Sequence, residues 1–162
     1  MYLFDHEVQQ FLEILNKRSV EYLVVGGFAV NYHGYIRTTG DLDLWWNPTK
    51  ENFIRLLDAI RDFGFDCSDI EPLKKYDSVK SLIRRPLRDN FDIELLSLID
   101  GKFSFQEAYE ASDQTSIKNI PVRIIDYPHL IKNKLGAHRP KDLHDIAELE
   151  KIRQIVQSKK RK

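Results

Sequence analysis

Residues 22–46, "YLVVGGFAVNYHGYIRTTGDLDLWW", constrain the fold more tightly than any other part of the chain. An apolar strand, Tyr22 to Val25, ends abruptly at Gly26-Gly27. A short helical stretch then closes at Gly34, and a second strand follows over "DLDLWW". Side chains at i and i+2 of a strand share a face. Asp41, Asp43 and Trp45 therefore point one way, while Leu42, Leu44 and Trp46 make a core face. Two carboxylates a pleat apart repel, and an aromatic strand tolerates them where something positive sits between them.

The glycines bear on what that positive partner is. A strand running into Gly-Gly and then a helix start exposes backbone N–H groups where phosphate can approach closely. The segment has neither the Gly-x-x-x-x-Gly-Lys-Ser/Thr of a P-loop nor Gly-x-Gly-x-x-Gly, so a phosphate cradle here belongs to a different fold. Asp-x-Asp on its own is also common on exposed strand faces. A later segment, "FDIELL", obeys the same parity. Phe91, Ile93 and Leu95 turn inward, and Asp92, Glu94 and Leu96 turn outward. If the two strands are neighbours, Asp41, Asp43 and Glu94 converge, an oxygen donor set suited to Mg²⁺ or Mn²⁺.

The remaining pattern fits around this centre. An amphipathic helix is expected over 5–17, capped by Asp5, with Val8, Phe11, Leu12 and Leu15 on one stripe. Asn47-Pro48-Thr49 ends the second strand and starts a helix with Phe53, Leu56, Leu57 and Ile60 inward. "GFDC" reads as a brief strand and 68–78 as loop. "SVKSLIRR" and "NFDIELLSL" read as a hairpin with its turn at Pro86–Asn90, and "IPVRIID" as another strand. Helices from Pro128 to about Ala137 and from Lys141 to about Gln157 close the chain. The expectation is an α/β (α+β) domain, a small mixed sheet with helices packed on it, as one unit over 1–157 followed by a basic tail, 158–162.

Composition removes several classes. The chain has 162 residues, 42% of them hydrophobic and 31% charged, a globular balance. No apolar run is long enough to span a bilayer and no export signal is visible, which makes the cytoplasm the default. Lysine plus arginine and aspartate plus glutamate both total 25, arguing against nonspecific capture of nucleic acid by the whole surface. The single cysteine, Cys67, forms neither an internal disulfide nor a metal-thiolate spacing.

The run "VVGGFAVNYHGYIRTTGDLDLWW" resembles the signature of the DNA polymerase β-like nucleotidyltransferase superfamily. The stretch from His33 to Asp43 is most similar to small bacterial nucleotidyltransferase-like proteins related to the AbiEii toxin group. "IELLSLIDG" resembles the third-acid strand of that family and selects Glu94. "LIKNKLGAHRPKDLHDIAEL" resembles its C-terminal helix pair, with Lys134, Arg139, Lys141, Asp142 and Asp145 at the matching positions. Lys134 also lies three and four residues after Ile131 and Leu130, on their inward stripe, where a lysine snorkels out or reaches an anion.

The resemblance implies a nucleotidyltransferase fold with C-terminal helices and transfer of a nucleoside monophosphate from an NTP, with pyrophosphate leaving. It implies two Mg²⁺ or Mn²⁺ ions about 4 Å apart, held by Asp41, Asp43 and Glu94. Gly26, Gly27, Arg37, Thr39 and Lys134 would bind the nucleotide, with Lys134 counted among the catalytic groups. Trp45 is open to base stacking or core packing, and His33 to a phosphate contact or to holding the turn at Gly34. The acceptor is left open among small molecule, RNA and protein. Alternatives are a non-catalytic nucleotide- or partner-binding module, suggested by glutamate at the third acid position, and a toxin-like enzyme acting on RNA beside a neutralising protein partner.

Overall fold

The computed structural model describes residues 5–88 and 90–161. Its first elements follow from local signals. Helix α1 (His6–Lys17) starts where the Asp5 side chain accepts from the Glu7 N–H. Strand β1 (Tyr22–Val24) runs into helix α2 (Gly26–Tyr32), which begins at the glycine pair itself. Strand β2 (Asp41–Trp46) and helix α3 (Lys50–Phe63) follow, α3 being capped by the Thr49 side chain and closed by left-handed Gly64.

Strands β3 (Leu82–Arg88) and β4 (Phe91–Leu96) form the expected hairpin. Strand β3 continues through Pro86, with a register shift between Pro86 and Arg88, so the turn is shorter than the sequence suggested. This is an edge strand, where a missing N–H costs no ladder bond. No strand forms at "GFDC", since Gly64 and Phe65 close α3 by bonding back to Arg61 and Ile60. Part of the expected loop is a 3-10 turn, Glu71–Lys75.

Three elements complete the sheet side: helix α4 (Phe105–Ala111), strand β5 (Asp113–Ile117) and strand β6 (Ile120–Ile124). Helices α5 (Tyr127–Ala137) and α6 (Pro140–Lys160) end the chain. The last helix thus carries Ser158 to Lys160 of the basic run. Among the described residues no helix is long and apolar enough to cross a membrane.

The six strands lie in the order β3-β4-β2-β1-β6-β5. Strand β1 is antiparallel to β2 and parallel to β6, while β4 is parallel to β2. This is the mixed α/β architecture expected. Phe11, Leu12 and Leu15 of α1, Leu42, Leu44 and Trp46 of β2, and Phe53 and Ile60 of α3 are fully buried in one core. That layer covers one sheet face. The acid side chains of β2 and β4 therefore fall on the other.

Candidate active site

Register brings the acids together. The parallel pairing of β2 and β4 sets Asp41 opposite Asp92 and Asp43 opposite Glu94. Alternation then puts all four on the face away from Leu42, Leu44, Ile93 and Leu95. Oxygens of Asp41, Asp43 and Glu94 lie within 4.8 Å of one another. The convergence that parity made conditional on neighbouring strands is realised.

Three carboxylates this close need compensation. Burial first, then the charges of Asp41 and Glu94, push the Asp43 carboxyl up to about 7. The nearness of the Glu94 carboxylate favours the protonated form of Asp43. On the far side of Glu94, Arg84 of β3 forms an ion pair with its Oε1. The Thr39 hydroxyl, itself buried, reaches the Asp41 backbone oxygen and Oδ1, both at 3.3 Å. The Arg84 guanidinium beside Glu94 and the Lys134 ammonium near Asp43 supply positive charge at the edges of the triad.

Above the acids sits the glycine pair. Gly26 has φ +63°, and a Cβ built on it would land on the Asp43 carboxylate. A Cβ on Gly27 would come within 2.5 Å of Thr39 Oγ1 and 3.3 Å of an Arg37 terminal nitrogen. Only glycine leaves the backbone bare here. No side chain caps the start of α2.

The third wall is cationic and comes from α5, α6 and the 33–40 loop. Lys134 is buried, 3.0 Å from Asp142 Oδ1 and 2.8 Å from Asp145 Oδ2. Of the two outcomes open to a lysine on that stripe, snorkelling out or reaching an anion, the second is found, and the anion is this pair of carboxylates. Asp145 in turn holds Arg37 in a two-point grip, Nε at 2.7 Å and Nη2 at 2.9 Å. Burial alone would raise the Asp145 carboxyl, but hydrogen bonds from Arg37 and Lys134 outweigh it and hold it below its ordinary value. Asp142 is likewise depressed, burial being outweighed by hydrogen bonds from Arg139 and Lys134. Asn31 of α2 fixes the Arg37 backbone, its amide donating to the Arg37 oxygen and its oxygen accepting from the Arg37 N–H, each at 3.0 Å.

These walls enclose a cleft of about 340 Å³ whose lining includes Gly26, Gly27, Arg37, Thr39, the acidic triad and Lys134. Every site residue expected from sequence lies on it. Two other candidates do not. Trp45 is buried, edge-on to Phe103 and Phe105, with its indole N–H on the Ser97 oxygen, so core packing replaces base stacking. His33 bonds the Ile125 oxygen at 2.8 Å and ties the end of α2 to the end of β6, a structural task. Asn31 and Arg84 escaped the sequence reading. Arg84 becomes legible only once the β3–β4 register is known.

Comparison with solved structures finds the same fold in an adenylyltransferase and in an antibiotic-resistance factor. The lincosamide antibiotic adenylyltransferase LnuA, in its lincomycin-bound crystal structure, is 15% identical with a TM-score of 0.59, over 90% of this chain and 96% of that one. The antibiotic-resistance factor ANT(2'')-Ia, solved in solution, is 14% identical with a TM-score of 0.51, over 94% of this chain and 90% of that one. No protein of curated function matches the chain in sequence. The profile of the family described as "nucleotidyl transferase of unknown function (DUF2204)" matches residues 5–162, and the chain belongs to that family.

Proposed function

We propose that the protein transfers a nucleoside monophosphate from an NTP to a hydroxyl of a small-molecule acceptor, in a reaction dependent on Mg²⁺ or Mn²⁺. One observation carries this reading: three carboxylates from two strands meet within 4.8 Å beneath a side-chain-free Gly26-Gly27 turn. The donor set is all hard oxygen, as such cations require. Among the described residues the repulsion in the triad is only partly offset, by Arg84 beside Glu94 and Lys134 near Asp43, so the residues fit divalent ions well. Asp41, Asp43 and Glu94 would hold them. Bound there, the ions would neutralise the triphosphate and favour ionisation of the attacking hydroxyl.

The chain's own groups do the positioning. Backbone N–H groups at Gly26 and Gly27 receive the β- and γ-phosphates, and Thr39 keeps Asp41 oriented. Arg37 and Lys134, fixed by Asp145, offset charge on the phosphates without having to reorganise. The acceptor oxygen bonds the α-phosphorus as the bond from that phosphorus to pyrophosphate breaks. Glu94 accepts the hydroxyl proton.

The small-molecule acceptor is supported by the likeness over nearly the whole chain to a lincomycin-bound adenylyltransferase, together with a formal net charge of zero. RNA, with the neutralising partner implied by the AbiEii resemblance, is the competing acceptor. The test incubates the protein with labelled NTPs, Mg²⁺ or Mn²⁺, and separate pools of small hydroxyl compounds, total RNA and protein. Wild type should label the small-molecule pool and release pyrophosphate, while Asp41→Ala falls at least about 100-fold. Label in RNA alone would reassign the acceptor. Nucleotide binding without pyrophosphate release would make the chain a binding module.

A further inference from the structure

The acidic rung does not end at Glu94. Strand register sets Asp43 opposite Glu94 and Glu94 opposite Arg84, so acid, acid and base lie in one line across β2, β4 and β3. Arg84 pairs with Glu94 Oε1 and extends its Nε to within 3.7 Å of Asp92 Oδ2, the acid on the neighbouring rung. Its position differs from that of Lys134 across the cleft. Lys134 is buried and already shared between Asp142 and Asp145. The Arg84 side chain is 59% exposed, whereas that of Glu94 is only 13% exposed. Leu82 and Pro86, its neighbours on the same strand face, are also exposed, so these two leave the Arg84 side chain uncovered.

We propose that Arg84 is a built-in counter-cation which divalent ions must displace from Glu94, so that this arginine sets how tightly the site loads. The inference rests on the metal reading of the triad. A carboxylate oxygen committed to a guanidinium is a poorer ligand for an ion, and the fixed positive charge repels the incoming cation. The arginine also gives the empty site something to hold. It neutralises Glu94 from the β3 side when no ion is bound, at the cost of weaker loading. Because Arg84 lies on the edge strand with its side chain largely exposed, opening the pair is inexpensive and the arm has solvent to swing into.

The test is Mn²⁺ binding to the nucleotide-free protein, followed by electron paramagnetic resonance at constant ionic strength. Wild type, Arg84→Gln, Arg84→Lys, Glu94→Gln and the Arg84→Gln/Glu94→Gln double variant are compared. Thermal unfolding checks that each is folded. Arg84→Gln should bind Mn²⁺ about three- to tenfold more tightly, with Arg84→Lys between it and wild type. In the Glu94→Gln background, Arg84→Gln should produce a markedly smaller gain, because the competition it relieves is gone. Unchanged or weaker Mn²⁺ binding by Arg84→Gln, in a protein that wild type shows to bind the ion, overturns the role of Arg84 alone. Failure of every form to bind Mn²⁺ overturns the metal reading and this inference with it.

Discussion

Asp145 is fully buried, and its two oxygens hold both Arg37 and Lys134. Removing its charge takes from Arg37 the carboxylate that grips it and leaves Lys134 with Asp142 alone. Asp145→Asn should therefore destabilise the chain by about 3–5 kcal/mol, the usual cost of leaving buried charge unpaired, read as a lower urea midpoint. Asp142→Asn should cost less, because Lys134 keeps Asp145 and the Arg139 side chain, 72% exposed, regains water. Equal losses would show that the two aspartates share the load evenly. Sequence disclosed only half of this arrangement. The spacing of Leu130, Ile131 and Lys134 on α5 marks the lysine as inward, since helix periodicity reports a face. It does not report what crosses from another element, and Arg37 lies 108 residues from the aspartate that grips it.

At the scale of elements, legibility followed how two-sided the burial is. Strand β2 carries its acids and core residues in strict alternation up to Leu44, and its limits could be read directly from "DLDLWW". Strand β5, "DQTSI", is an edge with only Ile117 buried, so it offers no apolar rhythm. Its pairing with β6 is set by a turn in which Lys118 and Asn119 both have positive φ. The parallel contact of β2 with β4 was equally hidden, because parity fixes a face and leaves the neighbour open. Helix α6 adds an instructive contrast. Its first half carries buried Asp142, Asp145, Ile146 and Leu149, while beyond Lys151 every described residue except half-buried Ile152 is exposed. Truncation after Arg153 should thus shift the melting temperature by no more than about 2 °C, the range for surface changes. A larger drop in a thermal melt would mean that the exposed turns bury against something in solution.

For the molecule as a whole, two sets of carboxyls give opposite pH signatures. Asp142 and Asp145 are held below their ordinary value, so their contribution to stability is present above about pH 4 and is lost as pH falls further. Asp43 has the reverse sign. Its carboxyl is pushed up to about 7 from 3.8, chiefly by burial and then by Asp41 and Glu94. Between those values the folded chain keeps a proton that the unfolded chain has released, so stability of the ion-free protein declines as pH rises through the window and levels off above it. The ion-free chain should be most stable under mildly acidic conditions. Divalent ions must expel the same proton, so the apparent Mn²⁺ affinity should climb about tenfold per pH unit toward pH 7 and then flatten. Thermal melts at pH 5.5 and pH 8, with and without Mn²⁺, separate the contributions. The expected result is a small upward shift at pH 5.5 and a large one at pH 8, because only at the higher pH does the ion relieve a repulsion the proton no longer masks. Shifts of equal size at both pH values would show that the ion binds without Asp43, and the rung joining β2 to β4 would then have to be read as structural.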